Sequence, residues 1–406
     1  MNSLTPDNIT FSDAYLSYCK QQTDAPPIFH KFLSYIIISS VLNRKVYLKF
    51  GFKNLYPNLY LLIVAPSSAH RKSWSMGIAA RMIRKIYPDF ILPDVSSREA
   101  FVSEVCDQQR TVPGCGIIKI DELKGFMDRI KTKSYMDGFM QDLSSLYDNE
   151  TMNRRKGIDD PRRFIMEEPF LNMMAACSNE WFYQSVQSGD ISGGFLARFV
   201  WVVHEKPVIN PSPWPKPEDA ELFGRCLRKL ERMKDLIAEV RLGDEAKREY
   251  EKWFQTFLGG HQGGQWDANY HRAPAIVVKI AMMNAVMRIE SESTFSPSGP
   301  FIDISPGDMK LAIMLIADTH LNFGKVTIGA TKSHTMAKRV VKFLMERGGT
   351  ANRSEVLKGI RGISARYLSD VLTTLEEADI VTVSRIEGGK GIVIHANGNA
   401  QNYMEG

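Results

Sequence analysis

Between Val46 and about Val203 the chain alternates short apolar runs with stretches of helical period. VYLKF, LYLLIV, FILPDV, GIIKID, FLNMMAAC and FVWVV have the length and make-up of strands, while GIAARMIRKIY and REAFVSEVCDQ space their apolar residues as helices do. That alternation predicts an α/β fold with a parallel sheet covered by helices on both faces. Ahead of it, residues 11–43 read as helices interrupted at Pro26-Pro27. Behind it, the proline-rich KPVINPSPWPKPED closes the layer. Residues 219–260 and 270–325 then turn helical in period, separated by LGGHQGGQWD. The last seventy residues predict three helices, then VTVSRI, the turn Glu387-Gly388-Gly389-Lys390-Gly391 and IVIHA, the order of a winged helix. The expected division is a helical element over 1–44, an α/β core over 45–205, a helical lid-like domain over 206–330 and a winged-helix domain over 331–398.

Composition narrows the class. A chain of 406 residues exceeds one ordinary core, and 44% hydrophobic with 24% charged residues is the balance of a folded soluble protein. The apolar run FLSYIIISSVL is broken by serines and too short to span a bilayer. It also lacks the flanks of a cleaved signal, so no membrane partner is expected. Five scattered cysteines without a CxxC pair suggest neither a disulfide framework nor a zinc site, which fits a reducing cytoplasm. A net charge of +5 permits a nucleic-acid partner without demanding one.

The candidate chemistry gathers at strand ends. In LYLLIVAPSSAHRKSWSMG an apolar strand and small residues lead to Lys72-Ser73 at a helix start. A phosphate-binding loop turns backbone N–H groups and a helix N-terminus toward an anion, adds a lysine charge and offers a hydroxyl to Mg²⁺. The usual G-x-x-x-x-G-K-[ST] needs glycine at positions 66 and 71, where this chain has Pro66 and Arg71. Ser67, Ser68, Arg71, Lys72 and Ser73 are the candidates for nucleotide phosphates; the alternative is a plain strand-to-helix loop with a solvated Arg-Lys pair.

GCGIIKIDELKGF places Asp121-Glu122 after a strand, about fifty residues downstream. In a P-loop ATPase the first acid orients Mg²⁺ and an adjacent Glu polarises the attacking water; a solvated helix start is the alternative. FLNMMAAC ends in Ser178-Asn179-Glu180, where a polar residue beside the acidic strand can sense a γ-phosphate. Asn179 is the candidate, Ser178 stays open, and a simple Asn N-cap is the alternative. In SGDISGGFLARFVWVV, Arg198 precedes a strand and could reach a neighbouring subunit's nucleotide or make a structural salt bridge.

The ordered set LYPNLYLLIVAPSSAHRKSWS, IIKIDELKGF, LSSLYDNE, FLNMMAACSNEWF and SGGFLARFVWVV resembles the phage- and plasmid-borne helicase-like ATPases often attached to primase-polymerase domains. Their loop commonly reads like GPSGxxRKST, and the likeness covers roughly residues 10–330. It implies a P-loop NTPase core of RecA/AAA+-like type, with ATP and Mg²⁺. It further implies that Lys72 contacts the β- and γ-phosphates, Ser73 and Asp121 hold the metal, Glu122 activates water, Asn179 senses phosphate and Arg198 acts in trans. Two departures, Ala65 and Ser68 at usual glycine positions and Trp74 for a small hydroxyl residue, bear on nucleotide affinity more than on fold.

For nucleic acid, the third helix of the predicted winged helix carries Arg366 and Tyr367, Arg361 precedes it and Lys390 lies in the wing. Glu376, Glu377 and Asp379 make its far end acidic, and protein contact is the alternative. Arg154 and Arg155 belong to a polar insert, NRRKGIDDPRRF, that can line the channel of a ring motor or form a surface loop. Arg272 is a candidate second sensor, while His261 and His271 lack companions for a metal site. The expected function is an ATP-dependent DNA helicase or replication motor of a phage or mobile element, a hydrolase acting on single-stranded or forked DNA as a homohexameric ring. The setting would be the cytoplasm of a bacterial or phage-infected cell, with a primase or polymerase as a further partner. The rivals are an AAA+-type initiator or loader that uses ATP as an assembly switch, a non-hydrolysing DNA-binding scaffold with a degenerate loop, and an antiviral defence ATPase.

Overall fold

The computed structural model describes residues 9–66, 70–93, 97–155, 163–182, 194–205, 216–259, 267–292, 301–329, 332–360, 362–377, 380–385 and 392–400. The chain divides into two units, Met1–Phe323 and Gly324–Gly406. It is a mixed α/β protein with parallel sheets.

The first unit centres on four parallel strands, β3 (Tyr60–Val64), β4 (Cys115–Ile120), β7 (Phe170–Cys177) and β8 (Phe199–Val203), in the order β4-β7-β3-β8. Their near-continuous apolar runs are what a sheet covered on both faces requires. In β3, Leu61 and Ile63 face one buried cluster, while Tyr60, Leu62 and Val64 face the other. The first cluster takes in helices α1 (Phe11–Gln22), α2 (Pro27–Leu42) and α3 (Lys72–Ile86); the second takes in α4 (Arg98–Cys106), α5 (Leu123–Thr132) and α6 (Phe139–Tyr147). LYLLIV, GIIKID, FLNMMAAC and FVWVV therefore form the expected sheet. FILPDV contributes a single parallel bridge, Ile91 to Ile117, on the outer side of β4.

The serines that interrupt FLSYIIISSVL have a structural purpose. The run is the buried helix α2, and β7 faces it with Asn172, which is fully buried. Asn172 Oδ1 accepts from Ser39 Oγ at 2.9 Å and from the Leu59 backbone N–H at 2.8 Å, and its amide donates to Ser40 Oγ at 3.0 Å. Among the described residues no helix is long and apolar enough to cross a membrane.

The structure differs from expectation at four points. VYLKF is a strand, β1 (Val46–Phe50), but it belongs to a second sheet with β2 (Lys53–Leu55), β9 (Ala238–Leu242) and β10 (Phe301–Ile304), ordered β10-β9-β1-β2. Residues 219–260 and 270–325 are consequently not all helical. AEVRL and FIDI turn alternate side chains into the core, and AEVRL pairs in parallel with β1 on one side and FIDI on the other. Because β9 and helix Asp267–Glu290 share the core of α1 to α3, the segments drawn at 1–44 and 45–205 and most of that drawn at 206–330 lie in one unit, which ends at Phe323. Finally, the polar insert contains an antiparallel hairpin, β5 (Met152–Arg155) with β6 (Arg163–Met166).

The second unit runs helix Lys332–Met345, β11 (Thr350–Asn352), helices Arg353–Gly359 and Ala365–Glu377, β12 (Val381–Arg385) and β13 (Ile392–Ala396). Its antiparallel sheet has the order β11-β13-β12, around a core of Val340, Leu344, Val356, Leu368, Val371 and Ile394. The strand β11 was not foreseen, since three residues carry too little pattern to read.

Candidate functional site

The carboxyl ends of β3, β7 and β4 lie side by side, and the chain leaves each of them through a polar segment. Crevices outside such strand ends are where open parallel sheets bind ligands. After β3 the Ala65 N–H donates to the Cys177 carbonyl of β7 at 3.4 Å, tying the two exits together. Helix α3 then starts at Lys72, preceded by Arg71 in the left-handed region (φ 51, ψ 33). That is a conformation a phosphate loop normally gives to glycine, and it costs a side-chain-bearing residue about 1–2 kcal/mol. Arg71 Nε reaches Asp24 Oδ1 at 3.3 Å, a single contact in which the arginine is half exposed and Asp24 largely covered. Arg71→Gly is therefore expected to stabilise the protein by about 1 kcal/mol and Arg71→Val to destabilise it by at least as much, read from urea unfolding midpoints. Equal midpoints would remove the strain from this account.

Lys72 Nζ donates to the carbonyls of Ala65 (2.5 Å) and Pro66 (3.0 Å), so its ammonium lies over its own loop. Burial lowers its pKa, and the nearby Cys177, Glu122 and Glu180 pull the other way. This links Lys72 electrostatically with the ends of both β7 and β4. Ser73 is exposed in the first turn of α3, and Trp74 beside it is exposed as well. Ser67 and Ser68 lie outside the described residues.

At the end of β4, Asp121 is exposed and pairs with Lys119. Glu122 occupies the N-cap position of α5 without making a side-chain cap bond. Both acids line a cleft of about 210 Å³ with Lys119, Phe126 and Arg129. At the end of β7, Ser178 Oγ accepts the Trp181 N–H at 3.3 Å, so Ser178 and not Asn179 caps the next turn. Asn179 is only 8% exposed, and its Oδ1 has no hydrogen-bond partner among the described residues. A buried amide oxygen in that condition carries a desolvation cost of about 1–3 kcal/mol and is suited to a bound donor or water.

Lys72, Asp121, Glu122 and Asn179 thus gather at one end of one sheet. Glu180, which joins them, was missed; its only signal was its place one residue beyond Asn179. A carboxylate at Asp121 and a hydroxyl at Ser73 are oxygen donors of the kind Mg²⁺ takes beside phosphate and water, so these residues would fit that ion in kind. Among the described residues no cluster of three His, Cys, Asp or Glu side chains forms a closed metal cage.

Arg198 does not join this group within the chain. It precedes β8, and the register of Tyr60 with Phe199 places it at the opposite, amino-terminal end of the strands, roughly 15–20 Å away at about 3.3 Å per residue. Its side chain is 11% exposed, with Nε 3.2 Å from Asp148 Oδ2 and Nη1 donating to the Gly194 carbonyl at 2.7 Å. Arg272 shares the same acid through Oδ1 at 3.2 Å. Behind them lies Lys279, whose ammonium bonds to Asn58 O and Oδ1 at 2.9 Å and is pushed down to about 7 by burial. The structural salt bridge is thus present in the single chain.

Of the nucleic-acid candidates, Arg154 and Arg155 stand in β5 opposite Phe164 and Arg163. Arg366 is exposed in the first turn of helix Ala365–Glu377, and Arg361 and Lys390 lie outside the described residues. No family model matches this chain, and no curated protein matches it.

Proposed function

We propose that this chain is an ATP- and Mg²⁺-dependent DNA helicase or replication motor of a phage or other mobile element, working as a ring of identical subunits, six in number. The observation that carries the reading is the strand order β4-β7-β3. It brings Lys72, Asp121-Glu122 and Asn179, whose Oδ1 has no partner among the described residues, to the carboxyl ends of neighbouring strands, although they are separated by about fifty residues or more in sequence. This is the relation expected between a phosphate loop, an acidic strand and a sensor strand in a P-loop core.

In this reading Lys72 and the N-terminus of α3 hold the β- and γ-phosphates. Ser73 and Asp121 would hold Mg²⁺, which would supply neutralisation of the phosphate charge. Glu122 takes a proton from water, whose oxygen attacks the γ-phosphorus as the bond to ADP breaks, and Asn179 orients the attacked group. Arg198, with Arg272 beside it, lies at the amino-terminal end of the strands far from its own Lys72, so it serves a neighbour's nucleotide and exchanges Asp148 for phosphate. The second unit's order of helix, strand, two helices and hairpin supports a winged helix, in which Arg366 would start the helix that enters the groove.

One observation favours the scaffold reading: Lys72 is already satisfied by Ala65 and Pro66, and the loop keeps a strained arginine at the glycine position. The deciding experiment is ATP hydrolysis by the full chain with Mg²⁺, with and without single-stranded DNA, followed by unwinding of a forked duplex. Turnover that rises with DNA and strand separation that needs ATP are expected. A wild type that neither binds nor hydrolyses ATP leaves the scaffold. Slow hydrolysis with duplex binding but no unwinding leaves the initiator or loader.

A further inference from the structure

The turn between β1 and β2 holds two phenylalanines out in water. β1 ends at Lys49-Phe50, β2 begins at Lys53, and Gly51-Phe52 joins them with Gly51 at φ +64. Phe52 is 95% exposed and Phe50 54%. A side chain built at Gly51 would touch nothing within 4 Å, so the tip is open around its turn. Lys53 Nζ lies 5.7 Å from the centre of the Phe52 ring, and Lys53 is the cross-strand partner of Phe50. The same polar character continues along the outward face of the sheet. Lys49 pairs with Glu239 at 2.9 Å, and Arg241 stacks 3.1 Å over the ring of Phe301. On that face Lys49 and Arg241 balance Glu239 and Asp303, while Lys53, opposite Phe50, stands on the other face; the tip itself, Lys49 to Lys53, carries two cations and no acid.

We propose that the β1–β2 tip is a contact site for unpaired nucleic acid, with Phe52 and Phe50 stacking on bases and Lys49 and Lys53 meeting the phosphates. Size decides between occupants. A stable protein interface buries about 800 Å² per partner. Two phenylalanines offer roughly 150–250 Å² each, which is too little for such a partner. One ring face is all that a base requires, and sequence-tolerant binding of single strands combines such rings with cations. A membrane surface would have to be held by buried apolar area, of which two rings supply little, and binding to vesicles tests for it. The site lies apart from the Lys72 crevice in sequence and sheet, and it does not depend on nucleotide turnover.

The test uses the full chain and fluorescently labelled oligo(dT), with a blunt duplex as comparison, read by anisotropy across a salt series. Phe52→Ala is expected to weaken oligo(dT) binding about 5- to 100-fold. Lys49→Ala/Lys53→Ala should flatten the log–log salt slope by about 1.4, two phosphate contacts' worth for a single strand. Because both rings are in solvent, thermal unfolding should not move. Phe52→Trp adds an emission that stacking quenches, a signal that DNA bound elsewhere on the chain would not produce. Wild-type affinity in Phe50→Ala/Phe52→Ala, or unquenched Phe52→Trp emission at saturating oligo(dT), overturns the proposal. So does a loss confined to phosphatidylserine vesicles or to the sedimenting mass. If the wild type hydrolyses no ATP yet shows these losses, the motor reading falls and this one stands; DNA-stimulated turnover with a dispensable tip gives the reverse.

Discussion

Lys72→Ala is expected to lower ATP turnover about 10²- to 10³-fold and to weaken ATP binding with it, the scale seen when one preorganised donor is removed from a phosphate or oxyanion site. Glu122→Gln should instead lose about 10²- to 10⁴-fold in turnover while still holding ATP, because it removes a proton acceptor and leaves the cation in place. The contrast follows from their positions. Lys72 lies over the loop carbonyls at the head of α3, where a phosphate would replace Ala65 and Pro66 as its partner. Glu122 is exposed at the end of β4, free of a capping role in α5, so its loss should not disturb the helix. Equilibrium binding of labelled ATP beside steady-state hydrolysis separates the two effects. Lys72→Ala with wild-type affinity and turnover would remove the loop from the mechanism.

The largest stability effect is expected at Glu290. Its side chain is 0% exposed at the end of helix Asp267–Glu290, and it meets Lys229 Nζ and Arg232 Nη1, each at 3.1 Å, from helix Ala220–Lys234. Removing one partner of such a pair strands the other's charge, so Glu290→Ala should cost about 3–5 kcal/mol. Replacing both members together, as in Lys229→Met/Glu290→Leu, should return to within about 1–2 kcal/mol of wild type, since Arg232 is exposed enough to turn to water. Urea unfolding of the set checks this, and additive losses would show that the two residues are not coupled.

The pH dependence has a definite sign. Burial raises the Glu290 carboxyl above its ordinary pKa, against the pull of Lys229 and Arg232. The folded state therefore holds this proton more tightly than the unfolded state does. The contribution is complete below the ordinary carboxyl range and is lost as pH rises through the raised value.

What could be read beforehand was what local pattern encodes. YLLIV, CGIIKI and FLNMMAAC are unbroken apolar runs, and residues at their carboxyl ends can be located one strand at a time, so Lys72, Asp121, Glu122 and Asn179 were in reach. Pairings between distant segments were not. AEVRL does alternate, with Ala238 and Val240 inward and Glu239 and Arg241 more exposed, but five residues at the tail of a charged helical run do not announce a partner at Val46–Leu48. The engagement of Arg198 was hidden for the same reason, since Asp148 lies fifty residues upstream. The positive φ of Arg71 was inferable only from the glycine that the loop lacks.

The pairing of β1 with β9 also bears on how the chain is made. On a ribosome roughly 190 residues separate the emergence of β1 from that of its neighbour β9. At about 5–20 residues per second that is an interval of ~10–40 s, during which β1 offers an unpaired edge to any passing strand. A fragment ending near Glu205 would stay in that condition permanently, so shortened versions of this protein should be cut after β10 and its following helix, not at the proline-rich joint.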